Sequence, residues 1–154
     1  MKKRMMRIVA LALTLILMIS LLTGCAKSGV KEVIGKFEAA CVAVDAEAML
    51  DCMDPSVTKP IRSILDLFGT DNLNGIVSDI FKVVDFINFE GTDPEDVLAT
   101  VKIEPDTYTF NDAKDECKVT AVVTYIVDGT EKSQVAIFDC IMVDEVWYIA
   151  SADF

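Results

Sequence analysis

The chain contains no histidine and one tryptophan, and its 14 basic residues are outnumbered by 25 acidic ones. Without histidine it lacks the commonest protein metal ligand and the commonest general base at neutral pH. A net charge of −11 argues against a phosphate-backbone partner, so no nucleic acid is expected. Catalytic signatures are missing too: there is no Gly-x-Ser-x-Gly, no phosphate loop and no metal-binding helix motif. Thr70, Asn72, Asn74 and Gly75 imitate the start of a calcium loop, but its twelfth position is Phe81, which cannot ligate. No catalytic residue, metal or cofactor is therefore expected. What the chain does have is apolar content, 53% of 154 residues. That excludes a disordered chain and allows one ordinary domain plus a targeting segment.

The targeting segment comes first. Lys2, Lys3, Arg4 and Arg7 precede an uncharged run from Ile8 to Leu22, broken only by Thr14 and Ser20. A membrane-spanning helix needs about 18–20 apolar residues, so this run is short for one and fits the apolar core of a signal peptide. It closes with Leu22-Thr23-Gly24-Cys25, which resembles the lipobox of bacterial lipoproteins. In that family the cysteine thiol receives a diacylglycerol and a peptidase cuts before it. The resemblance implies cleavage between Gly24 and Cys25, with a lipidated Cys25 as the new N-terminus. Two acyl chains suffice for stable attachment where one binds only reversibly, so the expected location is the extracytoplasmic face of a cell membrane. Removing residues 1–24 takes away four basic residues and no acidic one, so the charge of −11 becomes −15. Residues 25–29 would form a short tether, reaching roughly 14 Å if Ala26–Gly29 were fully extended.

Residues 30–154 read as a single domain. Val30, Val33, Ile34, Phe37, Cys41 and Val44 fall on one helical face. Asp45 is placed to cap a second short helix carrying Met49, Leu50 and Met53, which Asp54-Pro55 ends. Pro60 is expected in the first turn of a third helix with a stripe of Ile61, Ile64, Leu65 and Phe68, stopped by Gly69. After a turn over 71–75, a strongly apolar fourth helix is expected over 76–87. Beyond Pro94 the pattern becomes β-branched and aromatic, with strands expected near 97–104, 106–110, 116–127, 132–143 and 146–152. The first two can be one strand bent at Pro105, and 111–116 reads as a charged turn.

Asp128-Gly129 is a strong two-residue hairpin signal. It pairs Val127 with Thr130, so partners along the hairpin sum to 257. One face then carries Cys117–Cys140, Val119–Phe138 and Ala121–Ala136, and the other pairs Lys118 with Asp139. Four cysteines besides Cys25 in an exported domain invite disulfides. Cys117 and Cys140 are the favoured pair, against the alternative of two buried thiols packed as small hydrophobes. Cys41 and Cys52 could join only if the chain turned back near 43–45. Zinc is disfavoured by the cysteine spacing and the missing histidine.

Helices followed by a meander of antiparallel strands make an α+β order. The opening VIGKFEAACVAVDAEAMLDCMDPSV and the close CKVTAVVTYIVDGTEKSQVAIFDCIMVDEVWYIAS resemble the two ends of the nuclear transport factor 2-like superfamily, including a tryptophan, here Trp147, at the start of the last strand. The resemblance implies a curved sheet wrapped around helices, a cone with room for an apolar pocket. It is similar to small bacterial lipoproteins grouped as domains of unknown function. The fold hosts many functions. The leading expectation is a non-enzymatic, lipid-anchored domain that binds a protein or envelope component. The alternative is a carrier or sensor of a small apolar ligand held in the cone, and the third is an isomerase-type enzyme. A filled cone would favour the first, an aliphatic pocket the second, and a buried carboxylate facing a tyrosine the third.

Overall fold

The computed structural model describes residues 26–68 and 92–153. The expected signal peptide, Gly24, Cys25, the turn over 71–75 and the fourth helix over 76–87 lie outside the described residues. The described chain is α+β, with helices packed against one four-stranded antiparallel sheet in the order β1-β2-β3-β4.

Helix α1 covers residues 26–42. Its buried face is Val30, Val33, Ile34, Phe37 and Cys41, as the spacing requires, with Ala26 and Ala40 added. The tether expected before it is absent from residue 26 onward, because Ala26–Gly29 are helical. They continue the amphipathic face by one turn and dock on the sheet instead of extending. Val44 ends the helix in the left-handed region, φ 53°. There Val44 N–H donates to Cys41 O and Asp45 N–H donates to Ala40 O, both at 2.9 Å. These are the two bonds of a Schellman motif, and they turn the chain back sharply. Asp45 then caps α2 (Ala46–Asp51), accepting from Ala48 N–H at 3.0 Å.

Helix α3 (Pro55–Phe68) starts five residues before the expected Pro60. Asp54 and Pro55 do not merely end the preceding helix; they begin this one. Asp54 accepts from Ser56 N–H at 2.8 Å and from Ser56 Oγ at 2.7 Å, and Pro55 needs no N–H donor at the first helical position. Pro60 sits inside the helix, where one backbone bond is lost. The side chains of the Ile61, Ile64, Leu65 and Phe68 stripe lie outside the described residues. Helix α4 (Pro94–Leu98) occupies the start of the expected 97–104 strand. The missed cue is Asp93-Pro94-Glu95, an N-cap accepting from Glu95 N–H at 3.0 Å, a proline at the first turn and an acidic first turn.

The strands are β1 (Lys102–Phe110), β2 (Glu116–Val127), β3 (Thr130–Val143) and β4 (Val146–Asp153). β1 is one strand with a register shift between Pro105 and Thr107, where proline cannot donate to the ladder. The β2–β3 register is the expected one at every pair from Glu116–Ile141 to Val127–Thr130, with Lys118 Nζ 3.0 Å from Asp139 Oδ1. Asp128 and Gly129 both have positive φ, 50° and 73°, the twist-matched hairpin turn. Asn111 organises the 111–116 loop, accepting from the N–H groups of Asp115 and Glu116 at 3.2 Å and donating to Asp115 Oδ1 at 2.6 Å.

The inner face of the sheet meets α1. Val119, Ala121, Val123, Ala136, Phe138 and Cys140 are at most 1% exposed, as are Val30, Ile34 and Cys41 opposite them. Two polar ties fix the layers. Glu38 Oε2 accepts from Ile103 N–H at 2.6 Å, and residues 52–54 run as a short parallel extension of β4, with Ile149 N–H to Cys52 O at 2.8 Å and Asp54 N–H to Ile149 O at 2.9 Å. The second tie covers part of the sheet edge.

Candidate functional site

The inner face of the sheet is packed among the described residues. It is covered by the buried face of α1. The space instead lies on the next face of α1, in an open groove of about 820 Å³ between α1, α2 and the β3–β4 turn. Gly29, Glu32, Lys36, Ala39, Ala40 and Ala43 line it. Gly29, Glu32, Lys36, Ala39 and Ala43 follow one row at steps of three and four residues, with Ala40 beside it, so the groove runs about 21 Å along the helix. The small side chains of this row make the groove wide enough to enter. The opposite wall is Asp45, Ala48, Asp51 and Cys52 on one side and Glu145, Val146 and Trp147 on the other.

At one end of the groove α1 presses on β4. A Cβ added at Gly29 would lie 2.5 Å from Trp147 Cδ1, so only glycine allows this approach. The Trp147 ring is 6% exposed and meets Phe110 edge-on at 6.0 Å between centroids, a favourable aromatic geometry. Lys27 Nζ sits 4.7 Å from the centroid of Tyr108. The turn beneath, Asp144-Glu145, holds two non-glycine residues at φ 51° and 67°. It fits the tight β3–β4 connection, yet each such residue costs about 1–2 kcal/mol.

The groove is acidic at its rim. Glu32 pairs with Lys36 at 2.7 Å, and the hydrogen bond between them lowers Glu32 and raises Lys36 from their ordinary values. Asp51 pairs with Arg62 from α3. Asp45 is engaged as the α2 cap, and Glu145 adds a further carboxylate. Such a site attracts a basic or neutral surface and repels an acidic one.

Cys52 lies at the base of the groove and is 5% exposed. The turn over 43–45 does bring the chain back, and Cys41 and Cys52 share one buried cluster. Cys117 and Cys140 stand opposite each other as expected. Met142 N–H donates to Asp115 O at 2.7 Å, which by alternation makes Cys117–Cys140 a hydrogen-bonded pair, with Cα atoms about 5.5 Å apart. In the structure all four thiols are free and buried, so neither expected disulfide is formed in it. Burial pushes Cys41 and Cys140 up to about 12 and Cys117 up to about 11, and raises Cys52 as well. A thiol raised in this way is a poor nucleophile and metal ligand. No group of three or more candidate metal ligands occurs among the described residues. Tyr125 is core, its hydroxyl 3.4 Å from Gln134 Oε1, and Tyr108 packs beneath Lys27. The arrangement offers shape and charge for noncovalent binding.

The sequence alone places Cys117 opposite Cys140, Trp147 at the start of the last strand and Asp45 as a cap; it does not show the starts of α3 and α4 or the groove. The reading followed the large apolar residues of α1, whereas the groove is written in the small ones beside them.

No family model and no curated protein matches the chain. Among solved structures it is similar to the solution structure of a SEC-C motif-containing protein from Rhodopseudomonas palustris, at 16% identity, covering 75% of this chain and 70% of that one with a TM-score of 0.45. A likeness of that size carries nothing about function.

Proposed function

We propose that this chain is a bacterial lipoprotein precursor whose mature form is a non-enzymatic binding domain, anchored through Cys25 to the extracytoplasmic face of a membrane. The observation that carries the reading is Leu22-Thr23-Gly24-Cys25 at the end of an uncharged run behind four basic residues. A fully packed inner face and raised, unreactive thiols support binding over catalysis. The nuclear transport factor 2-like cone remains part of this proposal, with α1 occupying the cone. The partner surface is the groove beside α1, and its acidic rim and small-residue floor suit a narrow, basic segment of a partner protein.

The apolar part of the lining, Val33, Val146 and Trp147, favours one second reading, a small apolar ligand seated in the same groove. Two experiments test these proposals. Cys25→Ala should abolish labelling by a palmitate analogue and leave the uncleaved precursor; a variant that still matures and remains lipid-anchored refutes the anchor. Native mass spectrometry of gently purified protein separates the two occupants. A retained small-molecule mass supports the carrier reading, and a bare chain that crosslinks to a partner from Lys36 or Asp51 positions supports the binding domain.

A further inference from the structure

We propose that the domain meets the bilayer end-on, through a rim made of the 111–116 loop and the 144–145 turn, so that the groove opens at headgroup level. The inference rests on lipidation of Cys25 and adds an orientation that lipidation alone does not give.

The argument begins with slack. Adjacent Cα atoms are about 3.8 Å apart, so the lipid-bearing residue is fixed to within that distance of Ala26. Ala26 is itself buried and helical. The next residues are pinned as well, Lys27 over the Tyr108 ring and Gly29 against Trp147. No flexible linker therefore separates the anchor from the domain, which keeps this helix end close to the bilayer.

That helix end is placed at one end of the sheet. Tyr108 and Phe110 close β1, and Trp147 opens β4. Eleven residues further along α1, Glu38 binds Ile103 N–H at the other end of β1. Eleven helical residues rise about 16 Å, and the five strand residues between Ile103 and Tyr108 also span about 16 Å. Helix and strand are thus aligned and opposed, and α1 runs along the sheet away from the anchor. The β2–β3 hairpin tip at Asp128-Gly129 is about 36 Å from Cys117, along eleven strand steps. It points away from the membrane.

The rim has no basic patch of the kind that docks on anionic lipid. It carries Asp112, Asp115, Glu116, Asp144 and Glu145 against Lys27, Lys31 and Lys114. Anionic headgroups hold such a surface off over roughly one screening length, about 8 Å at physiological ionic strength. The acyl chains hold the protein at the surface, and the acidic rim keeps a water layer beneath it. A partner of the groove then has to reach it along the bilayer, near Glu145 and Trp147.

The test uses the full lipoprotein purified from membranes and reconstituted in vesicles. Mass analysis of the N-terminal peptide comes first. Energy transfer from Trp147, the single tryptophan, to a headgroup-borne acceptor is then measured. It is followed by headgroup quenching of a fluorophore attached at Asp112→Cys or Glu131→Cys, with the unsubstituted protein as the control for the buried thiols. Quenching several-fold stronger at 112 than at 131, together with efficient transfer from Trp147, is the expected result. Equal quenching at both positions, or stronger quenching at 131, on a protein whose Cys25 carries lipid overturns the end-on geometry alone. An N-terminal peptide without lipid overturns the anchor and this orientation together. If either cysteine variant fails to fold, the Trp147 transfer decides on unmodified protein, and its absence counts against the proposal.

Discussion

Gly29 and Gly35 lie on the same helix, and only Gly35 should gain stability from alanine. An ideal Cβ on Gly29 would stand 2.5 Å from Trp147 Cδ1 and 3.0 Å from Nε1, whereas one on Gly35 meets nothing within 4 Å. Carbon atoms in contact prefer about 3.5–4.0 Å, so roughly 1 Å of movement is needed at Gly29. The atom that must yield belongs to a buried indole wedged against Phe110. Overpacking of this kind costs about 1–3 kcal/mol. Replacing a helical glycine by alanine returns about 0.8–1 kcal/mol. Gly35→Ala should therefore stabilise the domain by up to about 1 kcal/mol. Gly29→Ala should be neutral to destabilising by about 2 kcal/mol once the helix gain is set against the clash. The assay is urea unfolding of a soluble version beginning at Ala26, followed by Trp147 fluorescence, with midpoints compared at equal slope. Trp147→Phe should relieve the clash, making the double variant more stable than the sum of the single changes predicts; because Trp147 is the single tryptophan, all four proteins of this cycle are followed by far-ultraviolet circular dichroism. If Gly29→Ala stabilises as much as Gly35→Ala, the close approach of α1 to β4 is wrong, and with it the pinned anchor.

Glu38→Ala removes the carboxylate that binds Ile103 N–H, and a charge-assisted bond of this kind is worth about 1.5–3 kcal/mol in unfolding experiments. Glu145→Gly relaxes an exposed residue at φ 67° and should raise stability by about 0.5–1 kcal/mol by the same measurement; an unchanged or lower midpoint would mean the turn is not strained. Alkaline unfolding reports on the thiols. Burial lifts Cys41, Cys117 and Cys140 above the ordinary thiol value of 9.0, so the unfolded chain releases those protons first. Stability should be unaffected by these groups below about pH 9 and fall as the pH rises toward 12 in the reduced protein. Oxidation by a disulfide donor that joins Cys117 to Cys140 should lower the mass by two hydrogens, reduce the donor to its thiols and weaken that alkaline slope. Four thiols that still alkylate after unfolding without reductant would exclude the bond.

Local chemistry was legible wherever a short-range rule had no competitor. Asp128-Gly129 permits one tight turn, and the pairing that follows from it puts Cys117, Val119, Ala121, Ala136, Phe138 and Cys140 on one face; a slip of one residue would expose Val119 and Phe138. The caps at Asp45 and Asp54-Pro55 and the bend at Pro105 were readable in the same way, although Asp54-Pro55 was assigned to the end of one helix and not to the start of the next. Asp93-Pro94-Glu95 was outvoted by the β-branched residues that follow it. The lipobox-like Leu22-Thr23-Gly24-Cys25 likewise stands in consecutive residues and is read without the fold.

The groove and the pinned N-terminus depend on contacts that sequence spacing does not encode. Ala39, Ala43 and Ala48 are unremarkable until α2 folds back beside α1, and that reversal is set by a valine, Val44, held in the left-handed region where sequence rules expect glycine. Gly29 reads as a loop residue. It is instead the point where a helix touches an indole 118 positions away. Sequence alone determined the class of fold and the pairing of the central hairpin, because each follows from neighbours along the chain. Only the tertiary structure decided which face of α1 is left open as a groove and which end of the sheet receives the start of that helix. Those depend on packing between residues far apart in sequence.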